Sequence, residues 1–158
     1  MKLYPLLAGI ALSMACFPAF PKWEKSLSRS EMDGVTTLTI ASWERGESRR
    51  LQGFVIRCSG GDAELYFASG GIIHSYGSGH VDIRLKFDSG EPISEVAKRS
   101  SDLTAAFLPD AKKYIAALLR TQRVVLEWTP YNSTATTIVF QVGSLVPFTA
   151  EIERHCGT

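Results

Sequence analysis

Alternation of apolar and polar residues along the chain predicts the short strands of an antiparallel sheet. The clearest case is residues 81–88, where Val, Ile, Leu and Phe fill the odd positions and charged residues fill the even ones. Five further segments have the alternation or the β-branched content of strands: 35–40, 51–58, 64–67, 123–129 and 136–142. Gly-rich or Pro-containing turns separate several of them. We therefore expect about six strands.

Two segments have helical spacing instead. Apolar side chains recur at helical intervals after Leu108-Pro109-Asp110, with Pro in the first turn and Asp at the positive end of the helix. Leu145 to Cys156 can form a short final helix with Ser144 as its N-cap. The predicted fold is mainly β (α+β). It is an antiparallel, β-sandwich-like domain with one helix before the final hairpin and a short C-terminal helix.

The first residues have the pattern of an export signal. Lys2 precedes an apolar stretch, Leu3 to Phe17, which fits a signal peptide and is too short for a membrane span. We assign residues 1–19 as signal peptide and 20–158 as a single exported, periplasmic domain. A cut after Ala15 would instead place Cys16 first, where a lipoprotein carries its acyl group. Ser13 replaces the usual aliphatic residue of that motif, so a lipid anchor is the minor alternative.

The charge of the chain is balanced. The sequence has 17 basic and 16 acidic residues. The predicted leader has one charged residue, Lys2, so its removal leaves 16 basic and 16 acidic residues. No basic stripe is present, which argues against nucleic acid or an anionic membrane surface as the partner.

The cysteines support export. Without Cys16, one pair remains, Cys58 and Cys156, and an oxidising compartment favours a disulfide between them. The chain-entropy model values a loop of about 100 residues at about 4.7 kcal/mol. The alternative is two unrelated buried thiols.

The sequence contains no recognisable catalytic motif. His74, His80 and Asp82 could form a zinc or acid–base site, but their spacing matches no standard motif, and exposed loop histidines are the simpler interpretation. Gly77-Ser78-Gly79 lacks the spacing and the strand-to-helix context of a serine nucleophile turn. We predict no metal, no cofactor and no enzymatic activity, and a hydrolase using these histidines is the weakest hypothesis.

Four residues are candidates for contact with a partner. Arg57 and Arg84 each lie within an apolar strand, and Glu127 lies between Leu126 and Trp128. Outward-facing positions of a one-sided sheet explain all three, whereas a polar cluster that receives a partner is the functional alternative. Trp43 stands among charged residues and is the tryptophan expected to be exposed, as in a binding hot spot.

Scattered positions along residues 20–158 resemble one protein family. These positions are Trp23, Ser30 to Thr36, Val55-Ile56-Arg57-Cys58, Glu64-Leu65-Tyr66, Ile83-Arg84, Ser100-Ser101-Asp102, Leu126 to Tyr131, Phe140 to Leu145, and Cys156. The pattern is similar to the small periplasmic VasI/TagO proteins associated with type VI secretion. The resemblance implies a periplasmic accessory module without established catalysis. In it Arg57-Cys58 and Cys156 would be structural, and Arg84 and Ser101-Asp102 would be shared polar residues. The family often has a Trp after the last Cys, and Gly157-Thr158 stand here instead.

The functional hypothesis is therefore a non-enzymatic periplasmic accessory protein that binds a protein partner in the cell envelope. The alternative is an inhibitor or immunity protein against a cell-wall lytic enzyme, which would present a loop such as Ser69 to His80.

Overall fold

The computed structural model describes residues 23–46 and 50–157, and every structural statement below refers to these residues. The predicted signal peptide, residues 1–19, and Cys16 lie outside the described residues. No described helix is long and apolar enough to cross a bilayer.

The described chain is mainly β, as predicted. Its nine strands are β1 (Trp23–Arg29), β2 (Thr36–Arg45), β3 (Leu51–Ser59), β4 (Asp62–Ala68), β5 (His80–Phe87), β6 (Ile93–Arg99), β7 (Ala105–Phe107), β8 (Arg123–Trp128) and β9 (Thr136–Gln141). Helix α1 (Ala111–Leu118) lies between β7 and β8. A 3₁₀ helix (Gly143–Phe148) and helix α2 (Thr149–Cys156) follow β9.

All nine strands belong to one sheet. Their order is β1-β2-β3-β4-β7-β6-β5-β8-β9, and every neighbouring pair is antiparallel. The chain leaves β4, crosses to β5 and returns through β6 and β7, so that β7 pairs with β4. This connection joins an N-terminal half, β1 to β4, to a half formed by the later strands.

The sheet curls so that its two halves face each other across one core. Phe54 of β3 packs against Phe140 of β9 with ring centroids 4.8 Å apart, and Phe67 of β4 lies 4.6 Å from the Trp128 ring of β8. Several strands separate these partners in the sheet order, so only a curled sheet brings them together. The inward-facing apolar side chains of both halves are buried in one cluster.

The expectation of six strands is wrong, because β1, β6 and β7 were not recognised. Strand β1 buries only Trp23 and exposes its other six residues. Strand β6 buries only Ala97, and β7 has three residues. These strands are held by the backbone hydrogen bonds of their neighbours, and a weak apolar pattern does not reveal such strands.

The two helices close the core. On α1, Tyr114, Ile115 and Leu118 are buried, and the Tyr114 ring stacks on Phe87 at 6.2 Å. The Asp110 side chain caps α1 by accepting a hydrogen bond from the backbone N–H of Lys113. The segment from Leu145 to Cys156, expected as one helix, divides into the 3₁₀ helix and α2, and neither has a side-chain cap.

Candidate functional site

The predicted pair of cysteines forms a disulfide. Cys58 lies on the inner face of β3 and Cys156 is the last residue of α2, and both side chains are fully buried. Their Cα atoms are 4.9 Å apart, within the usual range for a disulfide, and 98 positions separate them in sequence. The bridge ties the C-terminal helix to the N-terminal half of the sheet, and it suits an oxidising, exported compartment.

Trp43 lies on the outer face of β2. Strand β2 continues past this residue through Arg45, and Trp43 pairs with Gly53 of β3. The indole lies over this glycine, since a Cβ built there would stand 2.5 Å from Cε3 of Trp43. The side chain is 41% exposed, so the ring is held on the backbone while one side faces solvent.

Arg57 lies on the same outer face of the sheet as Trp43 and forms an ion pair there. It lies opposite Glu64 of β4, and its guanidinium forms a salt bridge with that carboxylate. The guanidinium carbon also lies 5.7 Å from the centroid of the Tyr66 ring. Burial raises the pKa of the Tyr66 phenol, the nearby Arg57 charge lowers it, and the Glu64 charge raises it. The cation is thus fixed by a carboxylate and an aromatic ring.

Trp43 and Arg57 belong to one surface, which we call the aromatic face: Trp43, Arg57, Glu64, Tyr66 and Phe107 on the outer side of β2, β3, β4 and β7. Directly paired residues share a side of the sheet, and Tyr66 pairs with both Val55 and Phe107. The Tyr66 and Phe107 rings lie 4.8 Å apart. Val55 is buried and forms part of the apolar floor of this face.

The other two predicted residues, Arg84 and Glu127, form a pair outside the aromatic face. They are directly opposite on β5 and β8, and Nη1 of Arg84 lies 2.9 Å from Oε1 of Glu127. Three strands, β4, β7 and β6, separate this pair from Arg57 in the sheet order. The four residues predicted to contact a partner therefore occupy two surfaces.

A cleft of about 480 Å³ opens where β3 begins and the β8–β9 hairpin turns. We call it the end cleft, and it is lined by Arg50, Gln52, Ser69, Gly71, Ile72, Trp128, Pro130, Tyr131, Ser133, Thr136 and Thr137. A backbone bridge between Ile73 and Pro130, and a hydrogen bond from Tyr131 N–H to the Ile72 carbonyl, join its walls. Its volume is in the range of small-molecule sites.

Gln52 and Arg50 give the end cleft its polarity. Gln52 is 5% exposed, and its Oε1 accepts no hydrogen bond from the described chain. Arg50 donates from Nη1 to the Gly70 carbonyl at 3.3 Å, and Gly70 has a φ of +68° that favours glycine. Sequence reasoning missed Gln52 because nothing local marks a glutamine as buried at the start of a strand.

The histidines considered as catalytic candidates lie at the surface, and one of them is beside Tyr76, with the Tyr76 and His80 ring centroids 5.7 Å apart. His74 and His80 are exposed, and Asp82 accepts a hydrogen bond from the Tyr76 hydroxyl at 2.8 Å. That bond raises the pKa of Tyr76. No group of three His, Cys, Asp or Glu side chains suited to a metal ion occurs within residues 23–46 and 50–157.

A pair that the sequence did not suggest joins half-buried Glu95 to buried Tyr114. Glu95 lies on the inner side of β6, opposite Ile83, and accepts a hydrogen bond from the Tyr114 hydroxyl of α1. Nζ of Lys113 lies 3.8 Å from the same carboxylate. Burial, then the bond and charge of Glu95, raise the pKa of Tyr114 far above its usual range. The pair fixes α1 against β6.

Comparison with known proteins gives a fold and no family. No family model matches the chain. No curated protein matches it either. Among solved structures it is similar to invasion associated protein B from Bartonella henselae, with a TM-score of 0.56 and 14% identity over 89% of this chain and 94% of that chain. At that identity the likeness shows that the two chains share a fold.

Proposed function

We propose that the chain is a non-enzymatic periplasmic accessory protein that binds a protein partner in the cell envelope, as in the type VI secretion-associated VasI/TagO proteins that it resembles. The observation that carries this proposal is the aromatic face, on which Trp43 is 41% exposed. Tryptophan, tyrosine and arginine are the residues enriched in binding hot spots.

The aromatic face is suited to a partner because its side chains are already ordered. Trp43 rests on Gly53, and Arg57 is held by Glu64 and Tyr66. Ordering side chains at an interface costs about 0.5–1.5 kcal/mol for each rotamer-rich residue, and preorganisation avoids that cost. A partner that covers this face gains buried apolar area without first immobilising the residues it contacts.

The disulfide and the leader support the compartment. Cys58 and Cys156 are joined, which suits an oxidising environment, and the predicted signal peptide accounts for transport into it. The cell envelope is therefore where we look for the partner.

Site-directed photo-crosslinking in intact cells tests the proposal. A photoreactive residue replaces Ser26, which is exposed and lies on β1 beside the aromatic face, opposite Thr39. A second probe replaces Ser94, exposed and opposite Arg84, and reports on the Arg84–Glu127 surface. Glu153 of α2 is the control position, because its side chain is exposed but belongs to neither of these two surfaces. We expect an adduct with an envelope component of the secretion assembly from Ser26.

The variant Trp43→Ala decides whether that adduct depends on the aromatic face. We expect it to reduce the Ser26 adduct, whereas Val139→Ala, an exposed change on β9, leaves it intact. Equal adducts from Ser26 and Glu153, or no effect of Trp43→Ala, would contradict the proposal. An adduct from Ser94 that disappears in Arg84→Ala would extend the binding surface to Arg84 and Glu127.

A second candidate function is inhibition of a cell-wall lytic enzyme. The loop between β4 and β5 is held by backbone hydrogen bonds from Ser69 to Thr104, from Ile73 to Leu103 and from His74 to Thr129. It presents Ile72 and Tyr76 to solvent. A loop that is already held in place by backbone hydrogen bonds loses less conformational entropy on binding, which suits an inhibitor.

A panel of purified muramidases tests this second candidate. Near-stoichiometric inhibition that is lost in Tyr76→Ala, and retained in Val139→Ala, would favour it. Absence of inhibition across the panel would eliminate it.

A further inference from the structure

We propose that strand β9 is an interface between two copies of this chain, formed when it pairs antiparallel with the β9 of a second copy. Strands β1 and β9 are the two outer strands of the sheet, so each has one edge without a neighbouring strand. The proposal does not depend on the aromatic face, because β9 contributes no residue to it. Two copies joined at β9 would leave both aromatic faces free.

The backbone of β9 presents a row of hydrogen-bonding groups at this edge. The N–H of Val142, just after β9, donates to the carbonyl of Gln122, just before β8. Successive residues of a strand bond alternately to one side and to the other, so Thr137, Val139 and Gln141 direct their N–H and C=O groups away from β8. No other backbone group within residues 23–46 and 50–157 bonds to these three residues. Buried backbone groups are almost always paired, so this row faces water or a further strand.

Strand β9 lacks the features that keep an edge strand from pairing. Its residues are Thr, Thr, Ile, Val, Phe and Gln, without a charge, a proline or a glycine. The opposite edge, β1, carries Glu24, Lys25 and Arg29. Lys25 lies on the inner side of the sheet, opposite the buried Ile40, and an inward-pointing charge on an edge strand opposes pairing. Of the two edges, β9 is therefore the one suited to a further strand.

A second copy of β9 matches this edge in a register centred on Val139. In this register Val139 lies opposite Val139 of the second copy, and Thr137 lies opposite its Gln141. The outward-directed groups of all three residues then exchange hydrogen bonds across the two-fold axis. Val139 is 37% exposed and pairs with Val125 of β8. The valines of both copies thus form one row on the outer face, and contacts between β-branched side chains on adjacent strands stabilise a sheet.

The charges on β8 favour the same register and identify a second copy as the occupant. Within each copy Glu127 pairs with Thr137, and Arg123 pairs with Gln141. When Thr137 faces Gln141 of the second copy, Glu127 of one copy and Arg123 of the other lie in one row of side chains. A shift of two residues in either direction loses this alignment of opposite charges. Since β9 itself is uncharged, the pairing sets no like charges directly opposite each other.

Analytical ultracentrifugation of the oxidised chain, residues 20–158, tests the proposal. One pair of short strands buries less area than a standard stable interface, so we expect a monomer–dimer equilibrium with a dissociation constant of about 10–1000 µM. Val139→Lys sets two like charges at the centre of the pairing and should weaken association about fivefold or more. Val96→Lys is the control, because it makes the same change at a valine that is 48% exposed on the interior strand β6. It should leave the dissociation constant unchanged.

Amide hydrogen exchange of the wild-type chain assigns the association to the edge of β9. In dilute solution the N–H groups of Thr137, Val139 and Gln141 should exchange quickly, whereas those of Ile138 and Phe140, which are directed to β8, should be protected. At high concentration the first three should gain protection.

Four results would overturn the proposal. The chain stays monomeric up to about 1 mM. Val139→Lys associates as tightly as the wild type, or Val96→Lys weakens association as much as Val139→Lys does. A dimer forms without added protection at Thr137, Val139 and Gln141. These three amides gain protection only when another envelope protein is added, which would assign the edge to that protein.

Discussion

Tyr114 shows how a single hydroxyl can hold a helix to a sheet. Its ring is buried against Phe87, and its hydroxyl donates to Glu95, whose other neighbour is Lys113 at 3.8 Å. A hydrogen bond to a charged group contributes more than a neutral one. This contact therefore sets both the position of α1 and the response of the protein to alkaline pH.

Tyr114→Phe keeps the ring and removes the bond. We expect the free energy of unfolding at neutral pH to fall by about 1–3 kcal/mol, because Glu95 loses its donor. The wild-type protein keeps the Tyr114 proton when folded and loses it near pH 10 when unfolded, so its stability should decline above about pH 10 through this group. Urea unfolding across pH 7 to 11 measures both effects. Tyr131→Phe, at an exposed hydroxyl, is the control, and an equal alkaline decline in Tyr114→Phe and wild type would contradict the assignment.

Asp102 makes the stability of the protein depend on pH in the acid range, as Tyr114 does in the alkaline range. Its carboxylate accepts hydrogen bonds from the Ser100 hydroxyl and the Thr104 N–H, which lower its pKa. The stabilisation that this pair contributes is present above the ordinary aspartate value, about 3.9, and is lost as pH falls through the lower folded value. We expect Ser100→Ala to raise the pKa of Asp102 in a carboxyl NMR titration. Ser101→Ala, at the neighbouring exposed serine, should leave the pKa of Asp102 unchanged. A raised pKa of Asp102 in both variants would contradict the hydrogen bond from Ser100 as the cause.

At the scale of elements, the pairing of β2 with β3 depends on one residue without a side chain. Gly53→Ala would place a Cβ 2.5 Å from Cε3 of Trp43 and 2.7 Å from the Ser42 carbonyl oxygen. We expect a loss of about 1–3 kcal/mol in the free energy of unfolding, as for other overpacked sites. Gly90→Ala, in the exposed β5–β6 turn, is the matched control. In a double-mutant cycle Trp43→Ala should recover part of the loss, and full additivity would show that the ring does not press on Gly53.

The sequence predicts those strands that bury one face and misses those held by their neighbours. Strand β5 alternates without exception, because every second side chain enters the core. Strand β1 has almost no buried residues, and β6 carries Glu95 on its inner side, so neither shows an alternation of apolar residues. Backbone hydrogen bonding to an adjacent strand stabilises such segments, and a single sequence does not record which strands are adjacent.

The candidate sites were predictable to a similar extent. Arg84 and Glu127 were each recognised as polar residues within apolar strands, but their pairing depends on the register of β5 and β8. Arg57 pairs with Glu64 across the β3–β4 hairpin, and the sequence placed both beside one turn. Gln52 gave no signal, because its burial results from elements that meet only in the folded sheet.

For the whole molecule, the disulfide is important because it joins two parts of the chain that are far apart in sequence. Helix α2 contacts β2 and β3, which lie near the opposite end of the sequence. Lys25 of β1 forms a salt bridge with Glu151 of α2 at 2.7 Å, and Lys112 Nζ donates to the Gly157 carbonyl at 3.0 Å. An exposed ion pair such as Lys25–Glu151 contributes little, about 0–1 kcal/mol, and the exposed hydrogen bond of Lys112 contributes about 0.5–1.5 kcal/mol. The disulfide and the fully buried side chain of Ile152 then supply most of what holds the C-terminal helix against the first half of the sheet.

The double variant Cys58→Ala, Cys156→Ala tests this view of the whole molecule. We expect the free energy of unfolding to fall by about 2–5 kcal/mol, because the unfolded chain is no longer closed across 98 positions. Amide hydrogen exchange should rise first in α2 and less in the β8–β9 hairpin, whose strands pair directly with each other. Lys25→Ala is the comparison, with a loss below about 1 kcal/mol. Uniform loss of protection in α2 and β8–β9 would mean that the helix and sheet open as one unit, and that the disulfide stabilises the molecule only through its unfolded state.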